Sequence, residues 1–208
     1  MGRLISGRPA SVMSNPIVIS YYTKNTPYEE EVRGLVSSLK KFGLEHDIVP
    51  VDPQGTWQKN TRIKAGFIGK MIRKHRGKSL LWMDADSVMV NKPALIGLID
   101  TDAAFYFRTT GGRVPRIRED CELISASMFF RANERTLLLT EMWIEANRRN
   151  ERDLEQHNLQ GILPEWRRMG GTLSLLPQAY CKIFDSDQDH NVIIQNQASR
   201  RFQALVGG

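Results

Sequence analysis

The sequence predicts an α/β fold, in which a mostly parallel central sheet is flanked by helices. Buried-strand patterns at 17–22, 47–51 and 79–83 alternate with amphipathic helical patterns at 28–42 and 62–75. A strand–helix–strand–helix–strand order is typical of parallel sheets built from right-handed crossovers. The chain has 208 residues, 41% of them hydrophobic and 25% charged, which suits a single globular domain.

The first strand is followed by the signals of a helix start. Thr26 is a suitable N-cap, and Pro27 suits the first helical position because an N–H is not needed there. Glutamates at 29–31 fit the first turn, where the helix dipole favours negative charge. Apolar residues then recur at helical spacing up to Gly43, which predicts a helix packed on the sheet.

The second strand contains Pro50, which cannot donate a hydrogen bond to a neighbouring strand, so either an edge position or an early end of the strand is expected. A polar loop with Trp57 follows, and Gly77 ends the second helix. The second half of the chain is less regular, and a Gly- and Arg-rich stretch at 109–120 is expected to form a mobile lid. Further strands are expected at 103–107, 124–130, 172–176 and 192–194, and helices at 137–146 and 153–162.

The third strand runs into Asp84 and Asp86, which form the most informative motif of the chain. Residues i and i+2 of a strand point to the same side, so the two carboxylates converge if the backbone stays extended. Because like charges that close together are costly, such a pair commonly binds a divalent cation, and oxygen ligands favour magnesium, manganese or calcium. The alternative is a carboxylate pair that caps the next turn.

The predicted sheet brings three polar residues to one crevice. Ligands of such sheets bind outside the carboxyl ends of the strands. Thr23 follows the first strand, and Asp84 and Asp86 follow the third. We therefore expect these side chains to border one site.

The charge balance favours an acidic partner, since the formal net charge is +6 and the pI is near 9.5. Arginines concentrate in the second half, either as solvated helix faces or as an anion-binding surface. They are Arg113, Arg116 and Arg118, with pairs at 148–149, 167–168 and 200–201.

The remaining whole-chain features are those of a cytoplasmic protein. No apolar stretch approaches the roughly 20 residues of a membrane-spanning helix. Residues 1–14 are predicted to be a flexible N-terminal arm, and residues 15–208 one domain. Cys121 and Cys181 have neither metal-site nor redox-motif spacing, which favours reduced thiols.

Six stretches together resemble one family. They are a first strand ending in Tyr22-Thr23, Trp57-x-x-Asn60-x-x-x-Lys64-x-x-Phe67, the strand with Asp84 and Asp86, Glu122-Leu-Ile-Ser125-Ala-Ser127, Glu155-Gln156-x-Asn158-Leu159, and the tail at 193–201. With these stretches the chain resembles nucleotide-diphospho-sugar glycosyltransferases of the Rossmann-like GT-A fold, of phage or bacterial type, with a DxD motif.

The resemblance implies a site for a nucleoside-diphosphate sugar, with a UDP-sugar favoured. Asp86 would bind Mn²⁺ or Mg²⁺ directly, and Asp84 would reach the ribose hydroxyls or the metal through water. The cation would stabilise the charge that grows on the leaving diphosphate. Lys64 would pair with the diphosphate or the ribose, or else be a solvated helix charge. The residues implied to bind the nucleotide sugar are Tyr22, Thr23, Asn60, Lys64, Asp84, Ala85 and Asp86.

A third metal ligand, usually histidine, is implied late in the chain. His190 is the only histidine of the last fifty residues, beside an acidic run at 185–189. The segment where the family pattern places this ligand instead holds Gln195 and Asn196, whose amide oxygens are alternative ligands.

The catalytic assignments also come from the resemblance. Asp153 and Glu155 are candidates for an acceptor-side base or for stabilising the reacting sugar, and alternatively are helix-start charges. Asp120 and Glu122 are reserve candidates. Ser199 and Arg200 are expected to contact the acceptor or a phosphate.

Two other functions fit parts of the sequence. In a haloacid-dehalogenase-like phosphatase, Asp84 would attack phosphorus and Asp86 would act as acid and base, with magnesium. Lys182 and an acidic pair, Asp185 and Asp187, would complete that site. The second alternative is a non-enzymatic nucleic-acid-binding module that uses the arginine clusters. The basic charge also suits a glycosyltransferase with an anionic acceptor, such as phage DNA with hydroxymethylated bases, which would require base flipping.

Overall fold

The computed structural model describes residues 15–109, 121–183 and 190–206, the last four of them by backbone alone. These residues form eight strands and five α-helices, which alternate regularly over the first three strands. They are β1 (Ile17–Thr23), α1 (Tyr28–Lys41), β2 (His46–Val51), α2 (Trp57–Lys74), β3 (Ser79–Met83), β4 (Ser87–Met89), β5 (Ala103–Thr109), β6 (Cys121–Arg131), α3 (Glu134–Arg149), α4 (Glu155–Arg168), β7 (Leu173–Leu175), β8 (Ile193–Gln195) and α5 (Ala198–Val206).

Six of these strands form the central sheet, in the order β2-β1-β3-β6-β5-β7. The pairings β1–β2, β1–β3 and β5–β7 are parallel, whereas β6 runs antiparallel to both β3 and β5. Strands β4 and β8 form a separate antiparallel pair. The predicted α/β class with a mostly parallel sheet is confirmed.

The edge position predicted from Pro50 is also confirmed, because β2 pairs only with β1 among the described strands. Helix α1 begins one residue later than predicted, with Pro27 as its N-cap residue. The Thr26 hydroxyl still accepts a hydrogen bond from the Tyr28 N–H, at 3.3 Å.

Two helix boundaries were predicted incorrectly. Helix α2 begins at Trp57, not near Arg62, because Thr56 caps it by accepting a hydrogen bond from the Lys59 N–H at 3.2 Å. Trp57 is therefore a helical residue and not part of a loop. Helix α4 starts at Glu155 and continues to Arg168, well beyond the predicted end at 162.

The core lies on both faces of the sheet, since successive residues of a strand point to opposite sides. From β3, Leu80 and Trp82 pack with α2, α3 and α4, whereas Leu81 and Met83 pack with α1 and the β4–β8 pair. This arrangement encloses β3 and leaves its carboxyl end open to solvent.

Several predictions fall outside the described residues: the N-terminal arm 1–14, most of the loop at 109–120, Asp120, Arg113, Arg116 and Arg118, and the acidic run 185–189 with Asp185 and Asp187. Cys121 and Cys181 are buried and form no disulfide. Among the described helices, none combines the length and the apolar character needed to span a membrane.

Candidate functional site

One cavity opens at the carboxyl ends of β1 and β3, bordered by α2 and the first turn of α5. Ser199 lines this cavity, as do all seven residues predicted to bind the nucleotide sugar: Tyr22, Thr23, Asn60, Lys64, Asp84, Ala85 and Asp86. The seven predicted residues come from three separate segments of the chain, namely β1, α2 and the turn after β3. The strand-end rule for parallel sheets explains why the first and the third of these segments meet.

Asp84 and Asp86 leave the sheet on a tight turn, so the extended backbone that was the condition for their predicted convergence is not present. The Ser87 N–H donates to the Asp84 carbonyl at 2.9 Å, and the Asp84 N–H donates to the Ala126 carbonyl of β6 at 3.0 Å. The turn ends β3 and starts β4. Both carboxylates nevertheless line the same cavity.

Asp86 is a nearly buried carboxylate, with 9% of its surface exposed. Its Oδ2 accepts a hydrogen bond from the Ala198 N–H at the start of α5, at 2.7 Å. Burial, together with the negative charge of Asp84, raises the pKa of Asp86 to about 6, while the Ala198 hydrogen bond opposes the shift. A nearby cation favours the charged form of a buried carboxylate and would therefore stabilise ionised Asp86.

Asp84 is held from inside the protein. Its Oδ1 lies 3.1 Å from the Lys64 Nζ and accepts a hydrogen bond from the Trp82 Nε1 at 3.0 Å. The side chain of Asp84 is 34% exposed, whereas that of Lys64 is only 4% exposed. Lys64 is therefore not the solvated helix charge that the sequence allowed.

Glu155 lies behind Lys64 and is buried. Its Oε1 is 3.0 Å from the Lys64 Nζ and accepts a hydrogen bond from the Ser125 hydroxyl at 2.6 Å. Burial alone would lower the pKa of Lys64, but the carboxylates of Asp84 and Glu155 outweigh it and raise that pKa well above its usual value. Lys64 therefore stays charged.

Aromatic and amide groups also line the cavity. The Tyr21 hydroxyl donates to the Asn60 carbonyl at 2.6 Å, and the Asn60 Oδ1 accepts from the Gln54 N–H at 2.7 Å. Trp57 remains 40% exposed at the rim. Burial raises the pKa of the neighbouring Tyr28, and a hydrogen bond with Trp57 opposes this shift.

His190 is not brought to the carboxylates. In the β4–β8 pair, Ser87 lies opposite Gln195 and Met89 opposite Ile193, so the end of β8 reaches Asp86. His190 precedes β8 and therefore lies beyond the opposite end of this pair, where it is exposed.

The two amides proposed in place of His190 do lie next to Asp86. The Asn196 N–H donates to the Asp86 carbonyl at 3.1 Å. Gln195 is buried, and its side-chain amide is already engaged, accepting from the Ser87 hydroxyl at 2.5 Å and donating to the Ser127 hydroxyl at 2.8 Å. Gln195 therefore joins β4, β6 and β8 behind the aspartate turn.

The two catalytic candidates lie in different environments, and neither faces the open cavity. Asp153 borders a groove between α3 and α4, where its Oδ1 lies 2.7 Å from the His157 Nδ1. Glu155 is buried beneath Lys64, so it cannot contact an acceptor directly. The reserve candidate Glu122 is paired with Arg108, and Arg200 is exposed on α5 beside Ser199.

The carboxylates of the cavity fit a hard divalent cation. The described residues contain no group of three His, Cys, Asp or Glu side chains that could hold a metal ion. Magnesium, however, is commonly bound through one or two carboxylates together with water and substrate phosphates. Asp84 and Asp86 supply two such carboxylates, and the pKa of Asp86 is raised by burial first and by the negative charge of Asp84 second.

Ser125 and Trp82 were not among the predicted site residues, yet they contact Lys64 and Asp84, respectively, from within the core. The signal for Ser125 was present, since two serines interrupt the apolar pattern of β6 at 125 and 127. Nothing local indicated which charged groups these polar atoms would meet.

Comparison with known families and structures adds independent findings. A family model for nucleotide-diphospho-sugar transferases matches residues 54–201, which is more than two thirds of the chain. No curated protein matches the chain significantly.

Two solved structures resemble this one in fold. A glycosyltransferase involved in the glycosylation of the major capsid of PBCV-1 superimposes with a TM-score of 0.65 at 13% identity, over 94% of this chain and all of the other. The glycosyltransferase GlyE of Streptococcus pneumoniae TIGR4 gives a TM-score of 0.60 at 12% identity, over 87% of this chain and 55% of GlyE. At such identities the likeness concerns the fold alone.

Proposed function

The chain belongs to the nucleotide-diphospho-sugar transferase family, and from that premise we propose that it is a metal-dependent glycosyltransferase. Its donor is a nucleoside-diphosphate sugar, with a UDP-sugar favoured, and its acceptor is a hydroxyl group. The observation that carries the metal dependence is the pair of cavity-lining carboxylates at the end of β3, one of them buried with a raised pKa.

The cavity is lined by aromatic and polar groups as well as by the two carboxylates, which supports a division of roles. We assign Tyr22, Thr23 and Asn60 to the nucleobase, together with Trp57, which is 40% exposed. An aromatic face at a cavity rim can stack on a base. Asp84 and Asp86 would hold Mn²⁺ or Mg²⁺ for the diphosphate.

A divalent cation at this place would act as a Lewis acid toward the leaving diphosphate. The residues of the chain set the conditions for it. The hydrogen bond from Ala198 and the contacts of Asp84 with Lys64 and Trp82 fix one oxygen of each carboxylate. Held in this way, the two carboxylates would offer oxygen ligands to the cation.

The two alternatives of the sequence analysis lose their support. The family match covers the aspartate motif and describes sugar transfer, not phosphate hydrolysis or nucleic-acid binding. Arg148 and Arg149, from the clusters invoked for nucleic-acid binding, both pair with Glu145.

A thermal-shift panel tests the donor and the metal together. UDP-, GDP- and CDP-sugars are each added with and without Mn²⁺, and the melting temperature is recorded. We expect one nucleotide, with UDP first, to raise the melting temperature only when Mn²⁺ is present, because binding to the folded state alone is stabilising. Equal shifts with and without Mn²⁺ would contradict the metal dependence.

For the acceptor we propose an anionic molecule, and DNA with hydroxymethylated bases is the first candidate. The support is the net charge of +6. The capsid glycosylation named for the PBCV-1 enzyme makes a protein hydroxyl the natural comparison.

Gel retardation and transfer assays separate these acceptors. We expect the protein to retard hydroxymethylated DNA at low salt, with binding that weakens steeply as salt is added. Unmodified DNA of the same sequence is the control for transfer. No retardation, together with equal transfer to small alcohols, would exclude DNA as the acceptor.

A further inference from the structure

A chain of buried contacts runs from α4 to the mouth of the cavity. Glu155 contacts Lys64, and Lys64 contacts Asp84, with N···O distances of 3.0 Å and 3.1 Å. Ser125 of β6 braces the middle of this chain through its hydroxyl, which lies 3.1 Å from the Lys64 Nζ and 2.6 Å from the Glu155 Oε1. Lys64 and Asp84 both line the cavity, and Asp84 is the more exposed of the two, with 34% of its side chain accessible against 4% for Lys64.

The ammonium group of Lys64 has no hydrogen left to donate to a substrate. It carries three N–H bonds. Four acceptors surround it within 3.2 Å: the Asp84 Oδ1, the Glu155 Oε1, and the hydroxyl and carbonyl oxygens of Ser125. The direct contact with a diphosphate or ribose that the sequence implied would therefore require Lys64 to abandon one of these partners.

Glu155 is more than a counterion. One carboxylate is enough to neutralise Lys64, and Asp84 already supplies it, so Glu155 adds a second, buried negative charge. Its Oε2 has no hydrogen-bond partner within the described part of the chain, which makes this burial costly. Helix α4 is fixed at this point, because the Trp143 Nε1 donates to the Glu155 carbonyl at 2.7 Å.

We infer that Glu155 is a positioning residue for the donor site. From the start of α4 it holds the Lys64 side chain, with Ser125 as a brace, and Lys64 in turn fixes the Oδ1 of Asp84. The Oδ2 of Asp84 is then presented to the donor and its cation. Glu155 thus acts through Lys64 and never touches the substrate, an inference that rests on the proposed function of the cavity.

The test compares three variants of the full chain. Glu155→Ala removes the contact with Lys64, Glu155→Gln keeps an oxygen for Lys64 but removes the charge, and Ser125→Ala removes the brace. Glu165→Gln is the matched control, since Glu165 is an exposed residue of the same helix that pairs with Arg168. Melting temperature, Mn²⁺ affinity by electron paramagnetic resonance and UDP affinity with Mn²⁺ by calorimetry are measured for each.

Partners that orient a ligating side chain typically change metal affinity 10- to 100-fold when they are removed. We expect Glu155→Ala to weaken Mn²⁺ and UDP binding by about 10- to 100-fold, Glu155→Gln to restore part of that loss, and Glu165→Gln to bind as the wild type does. Folded Glu155→Ala with wild-type affinities would overturn the inference. If Glu155→Ala does not fold, the test depends on Ser125→Ala. Wild-type Mn²⁺ and UDP affinities in that variant would likewise overturn the inference.

Crystal structures of the variants separate this inference from the proposed function. In Glu155→Ala, or in Ser125→Ala if only that variant folds, the Lys64–Asp84 contact should be displaced, whether or not a ligand is bound. An unchanged contact would overturn the positioning role even if the wild type binds UDP. A displaced contact in a protein whose wild type binds no nucleotide would support the positioning and reject the proposed function.

Discussion

Replacing Asp86 by asparagine is expected to abolish Mn²⁺-dependent donor binding and to lower sugar transfer by about 100-fold or more. Asparagine keeps an oxygen that can accept the hydrogen bond from the Ala198 N–H, which Asp86 accepts at 2.7 Å. It removes the negative charge that attracts the cation. The measurement is the melting-temperature shift with UDP-sugar and Mn²⁺, followed by the transfer rate.

The same substitution should leave the ligand-free protein at least as stable as before. Burial raises the pKa of Asp86 from 3.8 to about 6, so between these pH values the folded state binds more protons than the unfolded state. Stability contributed by Asp86 is therefore lost as the pH rises through this window. A shift of about two units corresponds to at most about 3 kcal/mol at neutral pH.

We therefore expect the unfolding free energy of Asp86→Asn to match that of the wild type near pH 4 and to equal or exceed it at pH 7, as measured in urea. Asp52→Asn is the control, because Asp52 is exposed and pairs with Lys24 away from the cavity. Full Mn²⁺-dependent donor binding by Asp86→Asn would contradict the metal site.

Replacing Lys64 by methionine is expected to cost about 3–5 kcal/mol of unfolding free energy at neutral pH. The reason is that the buried Glu155 and the partly buried Asp84 both lose their common cation, while methionine preserves most of the side-chain volume. Urea denaturation measures this loss. Lys70→Met, on an exposed position of the same helix, is the control and should change stability little.

The loss caused by Lys64→Met should shrink as the pH falls. Burial raises the pKa of Glu155, and Lys64 opposes that shift, so without Lys64 the carboxyl group becomes still easier to protonate. A protonated Glu155 needs no cation, and the double variant Lys64→Met/Glu155→Gln should recover part of the stability at pH 7 for the same reason. A pH-independent loss would show that volume, not charge, dominates.

The pattern-based predictions succeeded where the physical cause is local. Alternating strand and helix periods placed β1 to β3 and their two helices, because each period follows from backbone geometry over a few residues. Pro50 predicted the sheet edge because a proline removes a donor wherever it lies. The strand-end rule then placed Thr23, Asp84 and Asp86 on one cavity.

Predictions that depended on the partners of a side chain were the ones that changed. The spacing of Asn60 and Lys64 put both on one helix face, but it could not tell that Ser125 and Glu155, more than sixty residues away in sequence, would enclose the Lys64 ammonium. His190 was chosen for its chemistry, whereas the β4–β8 register places it away from Asp86.

The sequence by itself determined the α/β class, the edge strand and the aspartate pair at the end of β3, since these follow from local periodicity and from the chemistry of single residue types. The tertiary structure alone decided which of those charges face the cavity and which support them from behind. Glu155 and Lys64 are ordinary helix residues in the sequence, and they become a buried ion pair because α2, α4 and β6 converge there. The free energy of this ion pair depends on how deeply its two charges are buried and on the distance between them. Both quantities are defined only once distant segments of the chain have packed together.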